Sequence, residues 1–146
     1  MNMGKGFSLV EVLITMVLLG IMMALALPPF VSWRQNMTYR SSANDVSSAL
    51  QIAKSRAIQR NSRHQVLFNT LSGSYRVQQV NGGVVSNGRM PREVFLNLSG
   101  PSAGTTVFNT NGTVLEDRRI RIRDRLATKY TISVEKTGRI RVEKAR

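Results

Sequence analysis

GKGFSLVEVLITMVLLGIMMALAL, residues 4–27, is the stretch of sequence that decides the fold. From Phe7 to Leu27 it carries a single charge, at Glu11. These 21 residues would form a helix of about 30 Å, which matches the hydrocarbon thickness of a bilayer. A lone carboxylate in such a segment costs about 2.5–3.5 kcal/mol on insertion scales, so Glu11 is a candidate functional residue.

The apolar run differs from an ordinary signal peptide. A signal peptide has an apolar region of about 7–15 residues, followed by a cleavage site of small residues. Here the run is longer and leads into Pro28, Pro29, Phe30 and Trp33. The sequence therefore places the only candidate processing site before the run, between Gly6 and Phe7.

Residues 6–11, Gly-Phe-Ser-Leu-Val-Glu, resemble the N-terminal signal of type IV pilins and type II secretion pseudopilins. The resemblance implies that an inner-membrane prepilin peptidase cuts after Gly6 and that the new N-terminus, Phe7, is methylated. Glu11 would then be the fifth residue of the mature chain, the position at which the family has a glutamate. Pro28 falls on the family's helix-kinking proline.

The chemistry of Glu11 agrees with this resemblance. Cleavage after Gly6 would expose a cationic amine on Phe7, and this amine enters an apolar core when subunits assemble. An unpaired charge is costly to bury, and pairing with a carboxylate offsets much of the cost. We therefore expect Glu11 of a neighbouring subunit to be its partner.

Length and composition indicate one domain behind the apolar segment. The chain has 146 residues and no cysteine, so a head outside the cytoplasm would be stabilised by packing alone. We expect a leader at 1–6, a transmembrane and filament-core helix at 7–30, and a soluble head at 31–146. The predicted location is the inner membrane, with the head in the periplasm, and afterwards an extracellular filament.

The net charge of +13 is large for a head of this size. It favours a polyanionic partner, such as nucleic acid, acidic lipid or acidic polysaccharide, over a solvated basic surface without a partner. From Arg118 onward the chain has eleven of its 21 basic residues and only three acids. Such clustering points to a binding surface more directly than total charge does.

The first helix is predicted to continue past Pro28, with a kink there, and to end near Arg60–Asn61. Apolar residues then recur at spacings of three and four, as in an amphipathic helix that packs on a sheet. The members of this stripe are Val46, Leu50, Ala53, Ala57 and Ile58. The small side chains of Ala43, Ala49, Ala53 and Ala57 allow strands to approach closely.

From His64 onward the pattern changes to period two, which is typical of strands. Predicted strands are 64–69, 74–80, 92–97, 105–109, 113–116, 118–123, 129–135 and 139–143. Asn111-Gly112 predicts a hairpin between 105–109 and 113–116, because both residues tolerate positive φ. Lys136-Thr137-Gly138 predicts a second hairpin, and Asn87-Gly88 is interpreted as another turn.

One long helix followed only by strands resembles the GspH/FimT branch of the pilin family. The resemblance implies an α+β pilin fold, in which the helix packs on two small antiparallel sheets. Residues 108–113, Phe-Asn-Thr-Asn-Gly-Thr, resemble the hairpin of that branch. Residues 130–134 and 138–141 resemble its closing pair of strands.

The sequence argues against an enzyme. His64 is the only histidine and lacks a nucleophile motif, so we interpret it as a surface or strand-edge residue. Glu116 and Asp117 are adjacent, so in a strand they would point to opposite faces. They are therefore poor candidates for a catalytic carboxylate pair or a metal site. The glycine pairs lack a Walker lysine or GxGxxG spacing. We expect no cofactor and no metal.

Arginines alternate with isoleucines in 118–123, which places Arg119, Arg121 and Arg123 on one face. Same-face residues repeat about every 6.6 Å, close to the separation of neighbouring phosphates in a nucleic-acid strand. Arg139 and Arg141 repeat this pattern. Gly-Arg-Ile-Arg at 138–141 also resembles the DNA-contacting G-R-x-R element of FimT-like pilins, with Lys136 and Lys144 close by.

The sequence therefore predicts a FimT-like minor pilin, placed near the pilus tip, that binds DNA phosphates without base specificity during natural transformation. Its expected partners are other pilins through the N-terminal helix, the prepilin peptidase, DNA and the inner membrane. Two alternatives stay open. One is a GspH-like pseudopilin of a type II secretion system, and the other is a pilus-assembly priming subunit without DNA binding.

Overall fold

The computed structural model describes residues 7–100 and 104–145, with the side chains of residues 26–29 also outside the description. The leader at 1–6, including Gly6, lies outside the described residues. The chain divides into two compact units, residues 1–36 and 37–146. Its elements are α1 (Leu9–Gln59), β1 (His64–Asn69), β2 (Ser74–Gln79), β3 (Val84–Arg89), β4 (Phe95–Ser99), β5 (Thr105–Phe108), β6 (Arg118–Arg123), β7 (Thr128–Val134) and β8 (Ile140–Lys144).

The first unit contains the N-terminal part of α1. The helix starts on the Ser8 carbonyl, which accepts hydrogen bonds from the amides of Glu11 (3.0 Å) and Val12 (3.2 Å). All described side chains from Phe7 to Leu25 are exposed, on every face of the helix. Within the described part of the chain, α1 is the one helix long and apolar enough to cross a bilayer. An apolar helix without a polar face requires cover from lipid or from other helices.

The backbone of α1 is helical through position 28, and the side chain of Pro28 lies outside the described residues. The kink at Pro28 therefore stays a prediction. The helix ends at Gln59, one residue before the predicted end.

The second unit packs α1, from Met37 onward, against two antiparallel four-stranded sheets. The first sheet has the order β3-β2-β1-β5 and the second β4-β6-β7-β8. The predicted stripe is buried at Val46, Leu50, Ala53 and Ala57, whereas Ile58 is exposed, contrary to prediction. The inner faces of both sheets join the helix in one core, to which they contribute Val66, Phe68, Val77, Phe108, Leu96, Ile120, Ile122, Ile132 and Val134. The predicted α+β architecture is confirmed.

The prediction of a strand at 113–116, after the Asn111-Gly112 turn, is wrong. The turn itself forms, with the Gly112 amide donating to the Asn109 carbonyl and the Asn109 amide donating to the Thr113 carbonyl, both at 2.8 Å. Beyond it, pairing with β5 is limited to an isolated bridge between Phe108 and Val114. The amide of Val114 donates instead to the carbonyl of Lys136 at 3.0 Å, so this segment turns away from β5.

β3 was not predicted, because Asn87-Gly88 was interpreted as a turn. In the structure Gly88 is a strand residue directly opposite Tyr75 of β2. A Cβ on Gly88 would overlap the ring of Tyr75, so the ring lies over the glycine. Cover of a strand glycine by a cross-strand aromatic ring is a known means of stabilising such a position.

β4 begins later than the predicted 92–97. The amide of Val94 donates to the carbonyl of Pro91 at 3.0 Å, which makes residues 91–94 a turn. The predicted alternation still holds, because Leu96 is buried and Phe95 and Asn97 are exposed.

Candidate nucleic-acid interface

The outer face of the second sheet carries a row of arginines along β6. Ile120 and Ile122 are buried in the core, while Arg119 is exposed and Arg121 and Arg123 are half-buried at their stems. The alternation predicted from the sequence thus places these three guanidinium groups on one side of the sheet. We call this side the basic face. It consists of the outward residues of β4, β6, β7 and β8, together with Glu135 and Arg139, which flank the turn between β7 and β8: Phe95, Asn97, Ser99, Arg119, Arg121, Arg123, Thr131, Ser133, Glu135, Arg139, Arg141 and Glu143.

The strand register fixes which outward side chains are neighbours. Ser99, Arg119, Ser133 and Arg141 stand opposite one another across all four strands. Because neighbouring strands lie about 4.8 Å apart, the backbones of Arg119 and Arg141 are separated by about 9.6 Å, with Ser133 between them. The basic face therefore holds arginines from β6 and β8 in a single cross-strand row.

The contacts of these arginines leave most of their charge uncompensated. Arg121 donates from an Nη atom to Ser99 Oγ at 2.8 Å, and Arg123 donates from Nε to the Asp124 carbonyl at 3.3 Å. Both partners are neutral groups, which orient a guanidinium without cancelling its charge. Arg141 differs, because its Nε lies 3.6 Å from a carboxylate oxygen of Glu135.

Arg139 is held by a three-residue turn of residues 136–138. The Gly138 amide donates to the Glu135 carbonyl at 2.7 Å, and the Glu135 amide donates to the Arg139 carbonyl at 2.9 Å. Gly138 has a φ of +78°, as expected for the glycine that ends such a hairpin loop. Arg139 is exposed and, two residues before Arg141 in the hairpin, belongs to the basic face.

Gly138 also fastens this turn to the rest of the head. It is buried, and a Cβ on it would overlap the carbonyl oxygen of Gly112 in the neighbouring turn. The ammonium of Lys54 in α1 donates to the Gly138 carbonyl at 3.0 Å. The backbone amide of Lys136 donates to Asp117 at 2.7 Å. The glycine of the G-R-x-R element is thus a packing residue, and its two arginines project from a fixed turn.

The predicted binding residues do not all share the basic face. Arg119, Arg121, Arg123, Arg139 and Arg141 do. Lys136 is exposed in the turn beside them. Lys144 stands opposite Tyr130 and has the parity of Ile140 and Val142, so it lies on the other side of the sheet.

Four further side chains lie among the arginines and were not predicted as site residues: Ser99, Ser133, Glu135 and Glu143. A hairpin turn fixes which residues of its two strands pair. Taking every second residue before and after the Lys136-Thr137-Gly138 turn would therefore have placed Ser133 and Glu143 on the same face as the arginines. Ser99 could not be found this way, since its register with β6 depends on a long-range pairing.

His64 is not a surface or strand-edge residue, contrary to prediction. It is buried at the start of β1, a central strand, with Gln79 opposite on one side and Phe108 on the other. Its Nδ1 lies 2.9 Å from the Ser62 carbonyl. Among the described residues, no group of three or more histidine, aspartate or glutamate side chains could hold a metal ion.

The N-terminal residues of the predicted assembly site belong to the first unit. Phe7 is 82 % exposed, and Glu11 is exposed in the first turn of α1. An acid in the first helical turn is favoured by the helix dipole. Gly6 and the Pro28 side chain lie outside the described residues.

Two family profiles match the chain. The family described as type II transport protein GspH matches residues 42–138, and the prokaryotic N-terminal methylation motif matches residues 1–27. No curated protein matches the chain in sequence.

Solved structures of similar fold include a minor pilin and a minor pseudopilin. The type IV minor pilin FimU of Pseudomonas aeruginosa superposes with a TM-score of 0.66 at 17 % identity, covering 76 % of this chain and 92 % of that chain. The minor pseudopilin EpsH from the type II secretion system of Vibrio cholerae superposes with a TM-score of 0.64 at 10 % identity, covering 75 % and 97 %. At these identities the likeness shows the fold alone.

Proposed function

The chain belongs to the family of the type II transport protein GspH, and from this premise we propose that it is a minor type IV pilin that binds DNA through the basic face. The coarser role, a membrane-anchored minor pilin or pseudopilin subunit, follows from the family and the methylation motif. The finer role, DNA capture during natural transformation from a place near the pilus tip, is the proposal.

The cross-strand row formed by Arg119 and Arg141 carries this proposal. Two arginines whose backbones lie about 9.6 Å apart can reach separate phosphates, and Arg121 adds a third, with its backbone about 6.6 Å from that of Arg119 along β6. Arginine suits this task because its planar fork donates two hydrogen bonds to one phosphate. The residues between them are small hydroxyl side chains, which allow a nucleic-acid backbone to approach.

Contacts of this kind predict sequence-tolerant and salt-sensitive binding. Phosphate contacts position a duplex but carry no base information. The basic face is a flat sheet surface without a recognition helix, so base-specific readout in a groove is not expected. Several copies or partner pilins would add avidity to weak single contacts.

DNA binding can be measured with the full chain in a nonionic detergent. Fluorescence anisotropy with a labelled duplex of random sequence, at salt from 50 to 200 mM, gives the affinity and its salt slope. We expect Arg139→Gln with Arg141→Gln to reduce the slope by about 1.8, since each phosphate contact contributes about 0.9. The matched control is Arg76→Gln with Arg89→Gln, which removes two exposed arginines from the first sheet.

Wild-type affinity that is undetectable at low salt would overturn DNA binding and favour the secretion pseudopilin. The description of the matching family as a type II transport protein supports that second candidate. An equal loss of affinity in both double variants would mean that total charge, and not the basic face, determines binding. Loss of filaments without the protein, together with arginine variants that behave as wild type, would favour a priming subunit.

The proposed assembly route runs through the first unit. The inner-membrane prepilin peptidase cuts between Gly6 and Phe7, and the amine of Phe7 then pairs with Glu11 of a neighbouring pilin. Mass spectrometry of the protein from cells should give Phe7 as a methylated first residue. Glu11→Gln should leave the protein in the membrane and lower its content in sheared filaments. A filament content equal to wild type would contradict the role of Glu11.

A further inference from the structure

The turn between β6 and β7 holds a leucine in solvent. Leu126 is 92 % exposed. Its amide and that of Ala127 donate to Asp124 Oδ1 at 2.7 and 2.6 Å, and the Asp124 amide donates to the Ala127 carbonyl at 3.0 Å. Lys129 adds an ion pair to the same carboxylate at 3.1 Å. These contacts hold the turn closed, so the leucine is presented to solvent by an ordered loop.

Basic and apolar groups surround this turn. Phe95 stands opposite Arg123 in the adjacent strand and is 40 % exposed. Arg125 follows Asp124, and Arg92 precedes Phe95 by three residues; both are exposed, and neither forms an ion pair with a described residue. We call Arg92, Phe95, Arg125 and Leu126 the base patch.

Both signs of charge occur near the base patch. The carboxylate of Asp124 is already satisfied by two backbone amides and Lys129, whereas Glu93 is exposed. Lys129 lies 6.0 Å above the ring of Tyr39, and Arg40 is exposed next to that tyrosine. The described cations near the patch, Arg40, Arg92, Arg125 and Lys129, therefore outnumber the acids, Glu93 and Asp124, so the local charge favours an anion.

The base patch lies at the end of the second unit where its chain begins. Asp124 and Glu93 both act electrostatically on the Tyr39 hydroxyl, and Tyr39 is the third residue of this unit. Seven residues after Phe30 the chain reaches Met37, a span of at most about 25 Å even when extended. A bilayer that holds residues 7–30 therefore stays within reach of this end of the unit.

We infer that the base patch docks on the anionic surface of the bilayer that holds the apolar helix, before the subunit enters a filament. Leu126 and Phe95 enter the headgroup boundary, and Arg92 and Arg125 pair with lipid phosphates. The inference rests on membrane anchoring and is independent of DNA binding, so either can fail alone.

The absence of cysteine allows a clean test on the full chain. Ala127→Cys places a polarity-sensitive fluorophore next to Leu126, and Thr110→Cys places it in the Asn111-Gly112 turn, which packs on Ile58 near the end of α1. Each labelled chain is reconstituted into nanodiscs of phosphatidylglycerol and phosphatidylcholine, with some lipids carrying a headgroup quencher. We expect strong quenching at position 127 and little at position 110.

Lipid charge and the base patch should each control the quenching at position 127. Phosphatidylcholine alone, or Arg92→Gln with Arg125→Gln, should reduce it. Each arginine lost should lower the docked-to-undocked ratio about fivefold, which corresponds to ~1 kcal/mol. Leu126→Ser should also reduce it, whereas the matched control Leu115→Ser, at an exposed leucine outside the patch, should not.

Equal quenching at positions 110 and 127 would overturn the inference. Quenching at 127 that ignores both lipid charge and the arginine variants would also overturn it. The fluorophore could instead become shielded from water as the number of chains per disc increases, in neutral lipid as well. That result would overturn the inference and identify a second copy of the chain as the partner of the base patch.

Discussion

Gly138→Ala is expected to destabilise the second unit strongly, although it adds a single methyl group. Gly138 has a φ of +78°, where an L-residue costs about 1–2 kcal/mol. The new Cβ would overlap the Gly112 carbonyl oxygen, a backbone atom that cannot rotate away, and overpacking of this kind costs about 1–3 kcal/mol. Loss of the Lys54 hydrogen bond to Gly138 adds about 1 kcal/mol.

Together these effects amount to about 3–6 kcal/mol, or a decrease in Tm of roughly 12–25 °C for a unit of this size. The assay is thermal unfolding of the full chain in detergent, followed by the circular dichroism of the sheets. Gly112→Ala is the matched control: its φ is +79°, but its Cβ would meet the flexible end of Ile58 at 2.8 Å. It should lower Tm by about 4–12 °C, mainly through the cost of φ.

Equal Tm values for Gly138→Ala and Gly112→Ala would refute the steric argument, and a Gly138→Ala Tm within 3 °C of wild type would refute all of it. The same experiment separates the roles within the G-R-x-R element. Arg139→Gln with Arg141→Gln should keep the wild-type Tm, because both side chains are exposed. Gly138→Ala should lower both Tm and DNA affinity, because it displaces the turn that carries Arg139.

Three further outcomes are expected. Glu135→Gln should strengthen DNA binding about 1.5- to 5-fold in the anisotropy assay, because it frees Arg141 from an exposed ion pair; unchanged affinity would contradict this. Hydrogen bonds from the amides of Ala127 and Leu126, aided by Lys129, lower the pKa of Asp124 to about 2. The ionised carboxylate stabilises the fold above about pH 4, and this stabilisation is lost as the pH falls toward 2. Asp124→Asn should therefore lower Tm at pH 7 and make Tm less dependent on pH in acid. Wild-type and variant Tm profiles that stay parallel from pH 7 to pH 2 would refute this. Gly88→Ala should lower Tm by displacing the Tyr75 ring, whereas Gly83→Ala, with open space around its Cβ, should not.

Local periodicity was sufficient where one face of an element is buried. The arginine–isoleucine alternation of β6 predicted the outward face correctly, because a one-residue slip would have buried three arginines. The helix stripe succeeded for the same reason at Val46 and Leu50. It failed at Ile58, which lies beside Gly112 of the Asn111-Gly112 turn and is exposed.

The errors arose where a distant part of the chain overrides a local signal. Asn-Gly at 87–88 has the composition of a turn, yet Tyr75 covers the glycine and β2 supplies its pairing. Residues 113–116 have the composition of a strand, but Val114 bonds to Lys136. His64 is polar, and its burial depends on β2 and β5 on either side. Each of these partners lies outside the few residues from which the turn, strand and histidine predictions were made.

The basic face was predicted in part for the same reason. The alternation of arginine with isoleucine predicted Arg119, Arg121 and Arg123. The same pattern after the Lys136-Thr137-Gly138 turn predicted Arg139 and Arg141. The Lys136-Thr137-Gly138 turn fixes the pairing of Ser133 with Arg141, but the pairing of Arg119 with Ser133 emerges only from the order and register of β6 and β7. Lys144 was grouped with the arginines by proximity in sequence, although its parity places it on the opposite side.

The contact between Lys54 and Gly138 has a mechanical consequence. β8 is an edge strand at the C-terminal end of the described chain. The turn before it is joined to the long helix by the ammonium of Lys54, and it lies against the backbone of Gly112 in the neighbouring turn. If Arg139 and Arg141 hold a ligand as proposed, a pull on it would reach α1 through the Lys54 hydrogen bond as well as through the ladder between β7 and β8. The arginines are therefore coupled to the long helix by a contact that does not pass through the sheet.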